Sequence, residues 1–175
     1  MSKDRFETER LIVRDMTMDD CDIVARSWGD TEVGKYMSDP YYRDGDELRA
    51  VFQHDELLDS DHWTDEFYFV VIGKSNHKII GTASTWAMDD DVWGIGYTFD
   101  REWWNQGLGT ELIRGLEQFV KSRGGKALSS EIAKDNIGSL KACYKNGFED
   151  YREMTFGKSG TDIVFEALEL RKLIK

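Results

Sequence analysis

A strand that runs through a glycine-bearing turn into a helix constrains this chain more than any other feature. Val92 to Phe99 reads as the strand, and Asn105-Gln106-Gly107-Leu108-Gly109-Thr110 as the turn. Leu112, Ile113, Leu116, Phe119 and Val120 then form one apolar face of a helix that Gly124-Gly125 ends. The first N–H groups of a helix have no intrahelical acceptor, and the helix dipole places partial positive charge there. Glycine at 107 and 109 lets an anion approach the backbone without a Cβ in the way. Charge-assisted N–H bonds contribute about 1.5–3 kcal/mol each, against about 0.3–1 from the dipole at an exposed site. The bonds dominate, so the turn is a candidate diphosphate cradle.

Two familiar phosphate loops fail on the letters. A Walker loop requires a lysine after its last glycine, and Thr110 stands after Gly109. A dinucleotide fingerprint started at Gly107 would need glycine where Leu112 stands; started at Gly94 it would need one at Phe99.

The rest of the chain supplies the frame. Glu9 to Arg14 reads as a first strand, and Asp19-Asp20 opens a helix through Ile23, Val24 and Trp28. Leu48, Val51, Phe52 and Leu58 suggest a second helix after a loop around Pro40, Tyr41 and Tyr42. Phe67–Ile72, Lys78–Trp86 and Val92–Phe99 form a meander, with glycine at 94 and 96 signalling a bulge or a close approach. Ala127–Ala133 is a strand, and Asn136–Asn146 a helix closed by Gly147. Phe148–Phe156 and Asp162–Leu170 make a terminal hairpin around Gly157-Lys158-Ser159-Gly160. The expectation is a single mixed α/β (α+β) domain over residues 1–175, with about seven strands and about four helices.

Several functions are disfavoured. A net charge of −11 suits neither DNA nor RNA, whose phosphates call for clustered cations. It admits a cationic acceptor, although an acidic surface also simply keeps a protein soluble. Cys21 and Cys143 match no metal or redox spacing, and His54, His62 and His77 are scattered, so no metal site is expected. Apolar runs are short and Met1–Arg5 opens no signal-like segment, giving the expectation of a cytoplasmic protein without membrane contact.

The run Gly96-Tyr97-Thr98-Phe99-Asp100-Arg101-Glu102-Trp103-Trp104-Asn105-Gln106-Gly107-Leu108-Gly109-Thr110-Glu111 resembles the acetyl-CoA motif of the GNAT superfamily. It looks most like the branch of the ribosomal-protein alanine and serine N-acetyltransferases, where tryptophan commonly stands at the position of Trp104. The segment Asn136-Ile137-Gly138-Ser139-Leu140-Lys141-Ala142-Cys143-Tyr144-Lys145-Asn146-Gly147-Phe148 is similar to the second signature, and Glu7–Thr17 to the branch's opening. The resemblance covers nearly the whole chain.

It implies the GNAT fold, a central sheet splayed where acetyl-CoA inserts, and acetyl transfer to a primary amine by direct attack. Tyr97, Thr98 and Phe99 would pair with the pantetheine arm. Trp104 and residues 105 to 110 would hold the pyrophosphate, and Asn136 and Ser139 would approach the thioester. Tyr144 resembles the family tyrosine that serves the departing thiolate. Where several members carry a strand glutamate as base, this chain has Gly94; Glu131 is the substitute considered, or a water chain, or an acceptor that arrives neutral. The acceptor would be a peptide N-terminus or a small amine, with specificity in the region after the first strand and in the terminal hairpin; the acidic region 39–66 is either its receiver or a solvated face. A polyamine or aminoglycoside enzyme and an acyl-CoA sensor without turnover stay open, as does a homodimer through the hairpin.

Overall fold

A computed structural model describes residues 2–175. One eight-stranded sheet runs in the order β1-β2-β3-β4-β5-β6-β8-β7. Its strands are β1 (Asp4–Glu7), β2 (Leu11–Asp15), β3 (Glu66–Gly73), β4 (Ile79–Ala87), β5 (Val92–Phe99), β6 (Ala127–Ala133), β7 (Glu149–Gly157) and β8 (Val164–Leu173). Four α-helices accompany them: α1 (Cys21–Gly29), α2 (Gly45–His54), α3 (Leu108–Ser122) and α4 (Ile137–Lys145). The fold class matches the expectation. The additional strand is β1, whose single large apolar residue, Phe6, packs on Phe119 and Phe69 at ring distances of 5.8 and 6.1 Å. Leu58 lies beyond α2, which ends at His54.

The two faces of the sheet bury different helices. Helix α3 presents Leu112, Ile113, Leu116 and Val120, all fully buried, to Phe67, Phe69, Trp93, Ile95 and Phe99. Burying each such side chain contributes about 1.5–3 kcal/mol, so this face anchors the start of α3 firmly. The opposite face carries α1 and α2 on Met16, Val24, Trp28, Leu48, Phe52 and Val70. Both α3 and α4 end in Schellman turns. Gly124 (φ +89°) and Gly147 (φ +84°) occupy the left-handed position, and Gly125 and Phe148 donate back to Val120 and Cys143.

Every neighbouring pair of strands is antiparallel except β5 and β6, which pair in parallel only at Val92↔Ala127, Trp93↔Leu128 and Gly94↔Ser129. Beyond Gly94 the ladder stops while both strands continue, β5 to Phe99 and β6 to Ala133. The sheet is thus split along half the length of these strands. Residue parity then assigns the faces. Tyr97 and Ile95 look toward α3, while Gly94, Gly96 and Thr98 look toward α1, where Trp28 Nε1 donates to Thr82 and Thr82 bonds Thr98.

Candidate active site

The turn predicted to bind phosphate overlaps the helix it feeds. Asn105 (φ +59°) and Gly107 (φ +77°) are both left-handed, and α3 starts at Leu108. The first helical bond runs from Glu111 N–H to the Gly107 carbonyl at 3.1 Å. Among the described residues no acceptor serves the N–H groups of Gln106, Gly107, Leu108, Gly109 or Thr110. Gln106 and Gly107 are exposed, Gly109 and Thr110 are half-buried, and Leu108 is buried. Gln106 itself is braced by its side chain, whose Nε2 donates to the Glu102 carbonyl at 3.0 Å. An array of free amides at a helix start fits a phosphate group.

The split begins directly beside this turn. In β5 the even-numbered residues point their peptide groups at β4: Asp100 N–H donates to Ile80, and the Val92 carbonyl accepts from Met88. The odd-numbered residues therefore present theirs to the gap. The Phe99 carbonyl takes Trp104 Nε1 at 2.7 Å, and the Ile95 carbonyl takes the Ser130 hydroxyl of β6 at 3.5 Å. Tyr97 is left between them with both peptide groups toward the opening. That is a strand edge able to pair with an extended amide-bearing ligand.

Of the predicted cofactor residues, the structure gathers Tyr97, Phe99, Trp104, the 105–110 turn and Ser139 around the split. The Tyr97 hydroxyl packs under the turn, 3.1 Å from where a side chain on Gly109 would start, and faces Ser139. Burial pushes the Tyr97 phenol up to about 12, so it is a neutral donor. Trp104 is 42% exposed, its ring at the loop entrance. Thr98 belongs to the other face, where its hydroxyl is engaged by Thr82 at 2.7 Å; only its position in β5 brings it near. Asn136 is the N-cap of α4, at the end of the splayed half of β6.

Tyr144 and Glu131, the two residues expected to do chemistry, lie on α4 and on the splayed half of β6. Helix α4 turns Leu140, Ala142 and Cys143 inward, and Tyr144, one residue on, is 45% exposed. Its hydroxyl donates to Asp150 Oδ1 at 2.6 Å, and that bond raises the phenol pKa. The α4 residue turned toward β6 is Cys143, which faces Ser130; burial pushes its thiol up to about 12. Glu131 is exposed on β6, on the α1 face of the sheet and opposite Glu169. Glycine at 94 serves a close approach rather than a bulge. The β4–β5 register is unbroken, and a Cβ on Gly94 would lie 2.2 Å from the Trp86 indole. No carboxylate could occupy that place without displacing Trp86.

Four contributors escaped the sequence reading. Arg10, from the β1–β2 turn, donates to the Gln106 carbonyl at 2.9 Å and to Glu111 at 3.1 Å. Asn146 Nδ2 donates to Thr110 and Ala142 carbonyls, tying α4 to the start of α3. Ser130 bridges the base of the split. Lys158, 2% exposed, donates to the carbonyls of Gly34, Met37 and Asp39, joining the β7–β8 turn to the loop after α1. Among the described residues there is no cluster of His, Cys, Asp and Glu that could hold a metal, and no helix long and apolar enough to cross a membrane.

A split strand pair capped by a free-amide helix start suits an extended, amide-bearing ligand that carries a phosphate, and comparison with known proteins gives the class of transferase. The chain belongs to the GNAT acetyltransferase family, whose domain, described as "Acetyltransferase (GNAT) domain", matches residues 10–149. It is an acetyl-CoA-dependent N-acetyltransferase. A curated relative, "Uncharacterized N-acetyltransferase p20" of Bacillus licheniformis, is 27% identical over 81% of this chain and 80% of its own length. Two solved structures share the fold. The spermidine N-acetyltransferase from Vibrio cholerae, in complex with CoA and spermine, superposes with a TM-score of 0.77 at 15% identity, covering 94% of this chain and 96% of that one. The ribosomal-protein-S5-alanine acetyltransferase from Vibrio fischeri gives 0.71 at 22%, covering 97% and 96%.

Proposed function

We propose that this single-domain protein transfers the acetyl group of acetyl-CoA directly to a primary amine, held with it in a ternary complex. The acceptor is a protein N-terminus or a small cationic amine. The reading rests on one juxtaposition: five unpaired amides, Gln106 to Thr110, at the mouth of the gap between β5 and β6. In it the turn binds the pyrophosphate, Tyr97 pairs with the pantetheine arm, and Asn136 and Ser139 line the approach to the thioester. The branch of ribosomal-protein N-acetyltransferases is supported by the motif around Trp104 and by the similarity to the S5-alanine enzyme. The solved relative bound to spermine supports the small-amine alternative. A cytoplasmic homodimer with the β7–β8 hairpin at its contact belongs to the same proposal.

An attacking amine must shed a proton, and the departing sulfur must be stabilised. Glu131 is proposed to accept the proton, directly or through water, because it stands on the splayed half of β6 and is open to solvent. Tyr144 is proposed to serve the thiolate, which asks its hydroxyl to exchange Asp150 for the sulfur. Water reaches this exposed position and can stand in for the phenol. The Tyr144→Phe variant is therefore expected to slow single turnover by about tenfold, below the usual ~10²–10⁴ of a buried general acid. CoA affinity should not change. An unaltered single-turnover rate would assign the hydroxyl to Asp150 alone.

The function itself is tested by calorimetry with CoA, followed by acetyl-CoA turnover across N-terminal peptides, polyamines and aminoglycosides with CoA release as readout. Micromolar binding and transfer to one acceptor class are expected. Tight binding without transfer to any amine would leave an acyl-CoA sensor. Absence of binding at millimolar CoA would end the proposal.

A further inference from the structure

The amides of the phosphate turn are uncharged, and the first turn of α3 carries a carboxylate, Glu111. In a chain of net charge −11, a bare carboxylate one turn from the cradle would oppose a diphosphate. The structure deals with it through the β1–β2 turn. Thr8 Oγ1 donates to Glu111 Oε2 at 2.7 Å, Arg10 N–H to the same oxygen at 3.1 Å, and Arg10 Nε to Oε1 at 3.1 Å. Burial raises the Glu111 pKa, but these bonds outweigh it and hold the carboxyl ionised. Glu111 is thereby turned onto β1–β2 and serves as an anchor for the guanidinium.

What the anchor does with the rest of the side chain is informative. Arg10 Nη1 donates to the Gln106 carbonyl at 2.9 Å, bracing the turn from outside. Nη2 has no acceptor among the described residues and lies 3.6 Å from where a side chain on Gly107 would begin. The side chain is 46% exposed, so this last donor is open to a ligand. A fixed planar fork with one edge on the turn and one free nitrogen beside it suits a phosphate oxygen.

We infer that Arg10 is a further cofactor-binding residue, contributing its Nη2 to a phosphate oxygen of CoA at the turn formed by Gln106 and Gly107. The inference rests on the cofactor reading above. Glu111 is its positioning partner, fixing the guanidinium so that one nitrogen faces the cradle.

The test compares Arg10→Gln with the wild type in calorimetry with CoA and 3′-dephospho-CoA, and in turnover with acetyl-CoA and phosphate-free acetyl-pantetheine. Expected are a roughly tenfold weaker CoA Kd and a matching rise in the KM for acetyl-CoA, with kcat changed less than about twofold. The salt dependence of CoA binding should fall by about one ion, a readout that a purely structural role would not move. Turnover of acetyl-pantetheine should be unchanged. A loss that persists with 3′-dephospho-CoA puts the contact on the pyrophosphate; one that vanishes puts it on the 3′-phosphate. Either upholds the inference. Equal losses with acetyl-CoA and acetyl-pantetheine, or no loss at all, would overturn it. Arg10→Lys guards against misfolding: it keeps the charge without the fork, and should retain the wild-type salt slope while binding CoA less tightly. A wild-type protein that fails to bind CoA would instead defeat the cofactor reading.

Discussion

Gly107→Val is expected to weaken CoA binding by on the order of 100-fold while the protein stays folded. Two effects act together. At φ +77° an L-residue is strained by about 1–2 kcal/mol, and a β-branched one by more, so the backbone will relax toward negative φ. That relaxation rotates the peptide planes on either side, and with them the N–H groups of Gly107 and Leu108. Each misdirected amide forfeits about 1.5–3 kcal/mol of charge-assisted bonding, so losing one or two gives the stated factor. Strain alone could be mistaken for a binding effect, and the molecule supplies a control. Gly124, at the other end of the same helix, has φ +89° and nothing within 4 Å of its missing side chain. Gly124→Val carries comparable strain far from the turn. It should lower Tm by a similar few degrees and leave CoA affinity at the wild-type value. Calorimetry and thermal melting of both variants decide the matter. Equal CoA affinity in the two would show that the turn does not hold the phosphates.

The turn was legible in the sequence because everything that makes it is local: a strand, a pair of glycines, and apolar residues at helical spacing. The same holds for the β3–β5 meander and for both Schellman ends. What stayed hidden depends on partners distant along the chain. Strand β1 offers only Phe6 as an apolar signal, and its place is set by Phe119 and by Gly115, where a Cβ would meet the Phe6 ring at 2.5 Å. Gly94 advertised a close approach, but only the β4–β5 register reveals that Trp86 is what approaches. The α4 signature singled out Tyr144 but not Asp150, which holds its hydroxyl. A helix advances about 100° per residue, so the segment that buries Cys143 sends Tyr144 to the surface. Arg10 lay within the Glu7–Thr17 run already singled out, yet its meaning requires Gln106 and Glu111 beside it.

Lys158 shows the same limit at its widest, and carries the second large prediction. In sequence, Gly157-Lys158-Ser159-Gly160 is an exposed turn; in the fold the lysine is among the most buried charged residues. Its ammonium donates to Gly34 at 2.7 Å, Met37 at 3.2 Å and Asp39 at 2.6 Å, and lies 4.2 Å from the Tyr41 ring centroid. Burial lowers its pKa, and Asp39 works against that shift. The Ser159 N–H adds a bond to the Ser38 carbonyl at 2.8 Å, so the hairpin turn closes the loop between α1 and α2. Lys158→Met keeps the length of the side chain and removes the donor. Burying an ammonium costs several kcal/mol, which the variant recovers. Against this stand three carbonyls that lose a charged partner, at about 1–3 kcal/mol each where water cannot replace it. The carbonyls belong to a loop at the surface and some will be rehydrated, so the net loss is put at about 3 kcal/mol. For a chain of this size that lowers Tm by about 6–12 °C. The hairpin is one of the two regions expected to receive the acceptor and the clamped loop leads into the other, residues 39–66, whereas the phosphate turn is anchored by α3 on the other face. The KM for the amine should therefore rise severalfold while the CoA Kd stays put. Lys158→Arg is not expected to rescue, because a planar fork cannot converge on three carbonyls as an ammonium does. An amine KM unchanged in a Lys158→Met protein of lowered Tm would separate this clamp from acceptor recognition.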